Sequence, residues 1–316
     1  MLMDTARGEE PERLVGGLDG IGSDPDAVRA KARLFQRLHQ GPEVLVLANV
    51  WDLGSAALIS RLPGVRALAT TSAGMAAVHG LPDGERLSID QLLATLAVLT
   101  RSVALPVSVD LESGYGSTPR EVADTVASVV ELGAVGVNLE DGAPDTAERL
   151  VAPQAHAERI TAARTAADQA GVPVVVNART DTYWLAAGPA DRRFADTVRR
   201  LNRYQEAGAD CVFVPGFPPV GPTVDEQRRM IGELVAATDG VPLNLLLRPD
   251  LPPIEELRRL GVRRVSAGSA VYRLAMAAAR AAVVELLAGG RPAALGGAAE
   301  LSYQELAAVL EAGEEP

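Results

Sequence analysis

Hydrophobic and polar positions alternate along this chain in a repeating order: a short apolar run, a polar or glycine-bearing stretch, then a helical pattern. The apolar runs lie at 44–48, 67–71, 107–109, 134–139, 174–176, 211–214, 243–246 and 264–267. Helical patterns fall near 53–62, 88–101, 119–132, 153–170, 191–207, 224–238 and 254–260. Runs this short and this continuously apolar are strands covered on both faces, as in a parallel sheet. Eight of them, alternating with helices, predict a closed (β/α)8 TIM barrel rather than an open doubly wound sheet. Glu131-Leu132-Gly133-Ala134 and Glu206-Ala207-Gly208-Ala209 read as one recurring helix-to-strand turn. Ahead of the first strand, Ser23 or Asp24 caps a helix begun by Pro25, with Val28, Leu34, Phe35 and Leu38 as its buried stripe. No Gly-x-Gly-x-x-Gly follows the first strand and no Gly-Lys-Ser/Thr loop occurs, so a nucleotide fingerprint is absent.

The pattern also sets the domain limits. Residues 1–23 are polar and Gly-rich without apolar periodicity and read as a flexible leader. The barrel is expected over 24–288, and 289–316 form a tail with a final helix near 301–312. The preceding segment, 269–287, is an Ala-rich helix whose small residues suit two arrangements equally: packing on a neighbouring subunit or closing its own barrel.

Composition narrows the classes of function. With 47% hydrophobic residues in 316, one barrel-sized core is well supplied. The most apolar stretch, 274–287, is broken by Arg280 and Glu285 and reads as a packed helix. Thirty basic against 41 acidic residues, a net charge of -11, and no basic tract argue against nucleic acid or a membrane as partner. The single cysteine, Cys211, precludes an intrachain disulfide or a Cys-rich zinc site and reads as core packing. The N-terminus lacks a basic-then-apolar signal pattern, so a cytoplasmic location is expected.

A barrel of this kind carries its chemistry at the C-terminal ends of the strands. There the third run yields Asp110 and Glu112, one residue apart, which strand periodicity would aim to one side. Two hard carboxylates so placed are a seat for Mg²⁺, and Gly114 and Gly116 let the backbone approach it. Asp83 follows the second run and Glu140 ends the fourth. Arg179, ending the fifth, suits a bidentate grip on a carboxylate. Thr71, Ser72, Ala73 and Gly74 form a turn whose amides suit an oxyanion. His79 is either a base or a solvated loop residue. Tyr115 and Trp51 are candidate pocket walls, with Trp51 equally suited to plug the barrel top.

These motifs resemble the isocitrate lyase/phosphoenolpyruvate mutase superfamily over residues 28–285. The matching stretches are Asn49-Val50-Trp51-Asp52, Thr71-Ser72-Ala73-Gly74, Gly80-Leu81-Pro82-Asp83, Asp110-Leu111-Glu112-Ser113-Gly114-Tyr115-Gly116, Val137-Asn138-Leu139-Glu140-Asp141 and Asn177-Ala178-Arg179-Thr180-Asp181. Among its members the chain looks most like those termed phosphonomutase-like or 2-methylisocitrate-lyase-like. The resemblance implies a TIM barrel, a homodimer or homotetramer with an exchanged C-terminal helix, and Mg²⁺ (or Mn²⁺) as cofactor. It implies Asp110 as the principal metal carboxylate, with Asp83, Glu112 and Glu140 supporting through water. It gives Arg179 and the 72–74 turn to a substrate carboxylate or oxyanion, and Asn244 to a second carboxylate. The substrates implied are small 2-oxo or 2-hydroxy acids, broken at a C–C or P–C bond through a metal-stabilised enolate.

Two departures shape the expected reaction. The superfamily's Asp-x-Asp-Thr stretch is here Asp110-Leu111-Glu112-Ser113, with the second acid one methylene longer. The loop after the fourth strand, 142–149, is short and lacks the Cys or Lys that would handle a proton, leaving His79, Tyr115 or water. The expected activity is a Mg²⁺-dependent C–C lyase acting on a small 2-hydroxy or 2-oxo dicarboxylic acid. The rivals are a P–C mutase or hydrolase on a phosphonopyruvate-like substrate, and a vestigial barrel that only binds a dicarboxylate.

Overall fold

Eight parallel strands pair in chain order and the last returns to the first, closing a barrel. They are β1 (Leu45–Val50), β2 (Leu68–Thr70), β3 (Val107–Asp110), β4 (Gly136–Glu140), β5 (Val175–Arg179), β6 (Cys211–Phe213), β7 (Leu243–Leu246) and β8 (Arg264–Ser266). The helices are α1 (Pro25–Gln40), α2 (Leu53–Ser60), α3 (Ser72–Val78), α4 (Ile89–Ser102), α5 (Pro119–Glu131), α6 (Pro153–Gln169), α7 (Arg193–Glu206), α8 (Val224–Ala237), α9 (Ile254–Arg259), α10 (Ala270–Leu287) and α11 (Tyr303–Glu311). This computed structural model describes residues 24–143, 145–289, 295 and 301–311; the leader expected over 1–23 lies outside them. The fold is the (β/α)8 barrel that the hydrophobic pattern predicts.

Local chemistry explains most boundaries. Asp52, Ser88, Thr118 and Thr223 each open a helix with a reciprocal capping box, satisfying amide donors that the first turn leaves free. Pro25, Pro119 and Pro153 stand at first helical positions, where their missing N–H costs nothing. Gly133 and Gly208 end α5 and α7 at φ 96° and 104°, a backbone conformation that glycine adopts without strain. Cys211 is buried in β6 and its thiol is pushed up to about 12 by burial, in keeping with packing rather than reactivity.

One helix escapes the pattern. The 71–74 segment is not a turn: Thr71 caps α3, and Ser72–Gly74 are its first residues. Seven residues containing a glycine are too few to show helical periodicity.

The barrel interior is unusually polar. Asn177 Nδ2 donates to Asn138 Oδ1 at 2.8 Å, and the fully buried Arg264 donates to the same oxygen at 3.1 Å. Asn49 Nδ2 donates to the Thr70 carbonyl at 2.8 Å. The contrast outside is α10, which has no buried residue and leaves Leu274 at 70% and Leu287 at 83% exposure. Among the described residues no helix is long and apolar enough to cross a membrane.

Candidate active site

The sheet register puts the ends of β2–β5 side by side: Asp110 is opposite Asn138, Glu140 opposite Arg179, and Arg179 opposite Phe213. Asp110 is the last residue of β3, and its amide donates to Thr70 Oγ1 at 2.9 Å. One carboxylate oxygen accepts from Ser72 N at 3.3 Å and Ser72 Oγ at 3.0 Å. Its other oxygen, Oδ1, is buried without a hydrogen-bond partner among the described residues. Burial, and then the charge of Asp110, raise the Asp83 carboxyl above its usual range.

Glu112 does not follow the geometry that its spacing predicts. The strand stops at Asp110, and Glu112 takes φ 50°, so the alternation that would aim both acids one way is interrupted. Its Oε2 accepts from Glu85 N at 2.7 Å, and its Oε1 lies 3.4 Å from the donating Tyr115 hydroxyl. Burial, then Asp110 and Asp83, push its carboxyl up to about 7. Glu85 fixes this turn in return: its Oε1 accepts from Ser113 N at 3.0 Å, Ser113 Oγ at 2.7 Å and Tyr115 N at 3.0 Å. Tyr115, itself at φ 53°, has its ionisation pushed upward by burial and by Glu112, which makes it a reluctant proton donor.

Arg179 is held on two sides. Asp181 accepts from Nε at 2.7 Å and from Nη2 at 3.1 Å, a bidentate fork. Glu140 Oε2 lies 2.6 Å from Nη1, an ion pair without hydrogen-bond alignment. Burial opposes the guanidinium charge, but Asp181 and Glu140 outweigh it and hold the cation firmly protonated. Burial raises the Glu140 carboxyl well above its usual range despite Arg179, because Asp181, Asp110 and Glu112 add negative charge nearby. Behind this group, Asp141 Oδ1 accepts from Asp181 N at 2.9 Å, and Asp141 Oδ2 accepts from Thr180 Oγ1 at 2.8 Å and Arg200 Nη1 at 2.9 Å.

These side chains meet at one open cavity of about 80 Å³ at the barrel mouth. Its lining combines Asp83, Asp110, Arg179, Thr71, Ser72 and Ala73 with the apolar Trp184, Phe213, Pro215 and Leu246. Glu112, Glu140 and Tyr115 support this shell without lining the cavity. Three expected contacts do not reach it. His79 caps the end of α3 and is exposed. Asn244 is fully buried, and its amide and Ser266 Oγ lie 3.5 Å apart. Trp51 packs edge-on against Tyr272 with ring centroids 5.2 Å apart, filling the barrel top. The 71–74 amides are also less available than a turn would leave them, since Ser72 N donates to Asp110 and Gly74 N to Thr71 Oγ1.

Sequence reading passed over Asp181 and Glu85. Asp181 carried a signal, an acid two residues beyond the strand-ending Arg179. Glu85 carried none, because its role depends on a turn some 28 residues away in the chain.

The donor set fits Mg²⁺. All candidate ligands are carboxylate oxygens, Asp110 offers a buried oxygen with no other partner, and Asp83 is close enough to feel its charge. Among the described residues, no three acidic, histidine or cysteine side chains converge to enclose an ion directly. Mg²⁺ takes one or two carboxylates and keeps several waters, so Asp110 with Asp83 meets that requirement.

Residues 35–287 match the family described as phosphoenolpyruvate phosphomutase. The uncharacterized protein Rv1998c of Mycobacterium tuberculosis (strain ATCC 25618 / H37Rv) is 39% identical over 248 residues, covering 78% of this chain and 85% of that protein. A 2-methylisocitrate lyase of Escherichia coli (strain K12) is 34% identical over 164 residues, which is 50% of this chain and 53% of the lyase. The crystal structure of 2,3-dimethylmalate lyase, a PEP mutase/isocitrate lyase superfamily member, aligns with a TM-score of 0.73 at 28% identity, covering 91% and 95% of the two chains. With a family match from the first helix to the end of α10, and a lyase sharing the barrel, this chain belongs to the phosphoenolpyruvate phosphomutase family of the PEP mutase/isocitrate lyase superfamily.

Proposed function

We propose that the protein is a Mg²⁺-dependent C–C lyase that breaks a small 2-hydroxy or 2-oxo acid. The observation that carries this reading is the placing of Asp110 and Asp83 together with Arg179 in one small cavity. Asp110, with Asp83 beside it, would hold the metal. When bound, Mg²⁺ supplies Lewis-acid stabilisation of the negative charge that an enolate develops at the 2-oxygen. Arg179 supplies the carboxylate grip: with Nε and Nη2 committed to Asp181, its remaining N–H groups are the ones available to a substrate. Ser72 keeps Asp110 in place through its amide and hydroxyl. With His79 exposed and the Tyr115 phenol hard to ionise, solvent entering the cavity is the proton source this reading favours.

P–C chemistry is the weaker alternative. A phosphonate carries up to two negative charges, whereas the cavity presents one basic side chain, Arg179, among its lining residues. A homo-oligomer is proposed as well, supported by the large apolar side chains that α10 leaves exposed. Light scattering on Leu274→Asp, set against the parent protein, tests it.

The decisive experiment measures Mg²⁺-dependent release of a 2-oxo acid across a panel of 2-hydroxy and 2-oxo acids, with phosphonates followed by phosphorus NMR. Release that stops in Asp110→Ala supports the lyase. Release that persists undiminished in Asp110→Ala, or cleavage of phosphonates alone, overturns it. Tight Mg²⁺-dependent oxalate binding with no turnover on any substrate would point instead to a binding barrel.

A further inference from the structure

The far side of the cavity is built to receive something other than a second anion. Arg179 is the single basic side chain among the described lining residues. Its Nε and Nη2 donate to Asp181 and its Nη1 faces Glu140, so the N–H capacity left over suffices for one carboxylate, the one at the 2-oxo acid end. The basic residue beyond β7, Arg248, gives Nε and Nη2 to Asp250 at 2.9 and 3.0 Å, keeps a buried Nη1 without a hydrogen-bond partner among the described residues, and does not line the cavity. Asn244, expected to take a second carboxylate, is buried beside Ser266. The apolar side chains lining the cavity are Trp184, Phe213, Pro215 and Leu246, and Asn49, Asn138, Ser266 and Ser269 add neutral polar groups.

That apolar wall has a fixed shape. Phe213 is buried on β6 beneath the Arg179 guanidinium, whose carbon lies 5.8 Å from the ring centroid. Gly216, at φ 77°, lets the chain after β6 pass the Tyr183–Trp184 backbone; a Cβ there would lie 3.3 Å from Trp184 N. Tyr183 packs edge-on against Phe217 with centroids 4.9 Å apart, which anchors the residue before Trp184. Trp184 itself remains 57% exposed at the mouth, a large apolar surface that a ligand would cover.

We propose that the site selects 2-oxo acids bearing a single carboxylate and an uncharged, apolar substituent at the far end of the carbon chain. This rests on the reading above, in which Arg179 and the metal hold the 2-oxo acid end. A carboxylate placed against Trp184, Pro215 and Leu246 would shed water and gain no charged partner from the described lining residues, which is strongly unfavourable. A methyl or methylene in the same place gains by leaving water, by about threefold to fourfold in affinity per group.

Two five-carbon acids separate the possibilities: 2-oxopentanoate ends in a methyl and 2-oxoglutarate in a carboxylate. Calorimetry and tryptophan fluorescence on the full chain with Mg²⁺ would compare them, with 2-oxobutanoate as the shorter homologue and oxalate as the reference. The expected order is 2-oxopentanoate about threefold to fourfold tighter than 2-oxobutanoate, and 2-oxoglutarate weaker than 2-oxopentanoate by about tenfold or more. Leu246→Arg should reverse the preference of the five-carbon pair. Trp184→Ala, a change at an exposed position, should weaken 2-oxopentanoate by more than it weakens oxalate. Equal or tighter binding of 2-oxoglutarate to the parent protein overturns the proposal while the reading of Arg179 stands, provided oxalate binds. Failure of oxalate itself to bind overturns that reading, and this proposal with it.

Discussion

The half of the barrel mouth formed by β2–β5 and the half formed by β6–β8 come from the same repeated unit, yet they are held in place by different physics. In the first, most charged groups have a directional partner: Ser72 on Asp110, Glu85 around the Glu112–Tyr115 turn, Asp181 on Arg179, Asp141 beneath Asp181. In the second, Phe213 is fixed by burial, and Phe217 by burial and by the ring of Tyr183 reaching over from the segment after β5. A buried charge costs several kcal/mol unless it is paired and hydrogen-bonded, so the charged half needs a support built for each group. An apolar wall needs only shape. The difference teaches that a barrel can change the far end of its ligand by exchanging apolar side chains, while its charged end tolerates little.

The comparison predicts steep losses on the charged side. Asp110→Asn keeps an acceptor for Ser72 but removes the negative charge, and should lower Mg²⁺-dependent turnover by about 10²–10³-fold. Steady-state rates across a Mg²⁺ titration check this, and a loss under tenfold would undo the division between the halves. Asp181→Asn should weaken Mg²⁺-dependent oxalate binding by about tenfold, since one charge-assisted fork is worth about 1.5–3 kcal/mol and Glu140 still faces Arg179. Calorimetry reads it directly.

The supports beneath the charged half also predict an acid sensitivity. His156, fully buried with its ring 4.7 Å from that of Tyr204, is pushed down to about 3, chiefly by burial and then by Arg159. Its unfolded-state value is near 6.5, so between those limits the unfolded chain binds the proton and the folded chain does not. This contribution to stability is therefore complete above about pH 6.5 and declines as pH falls toward 3. Urea unfolding of the parent and of His156→Phe should show their stability difference changing by about 1.4 kcal/mol per pH unit between pH 6 and 4. A pH-independent difference would place His156 elsewhere in the balance. The smallest effect is expected from Leu246→Met, a volume-conserving apolar exchange costing under about 1.5 kcal/mol in stability and leaving oxalate affinity nearly unchanged. A marked loss of oxalate binding there would show that the two halves are not separable.

Much of the charged half was legible before the fold was seen. Asp110, Asp83 and Arg179 follow apolar runs, and the barrel rule places such residues at one mouth. Glu112 shows where the method stops. Its spacing from Asp110 predicts a shared direction, but a left-handed backbone held by Glu85 sends it to support the turn. His79 and Asn244 were plausible by residue type, yet one is exposed and the other is buried beside Ser266. The apolar wall left almost no trace, because Phe213 and Leu246 look like any other strand residues. Trp184, a tryptophan just past the strand-five acids, was the one available hint.

The sequence by itself determined the eight-strand barrel, most of the capped helices and the mouth where carboxylates and Arg179 gather. Those features follow from periodicity, end signals and chain order, which act locally and repeat. Only the tertiary structure decided which acids face the cavity, that Asp181 grips Arg179, and that Arg179 is the one basic side chain among the described lining residues. Each of these depends on groups from separate strands meeting across the barrel, and no local pattern records which neighbours a side chain will find.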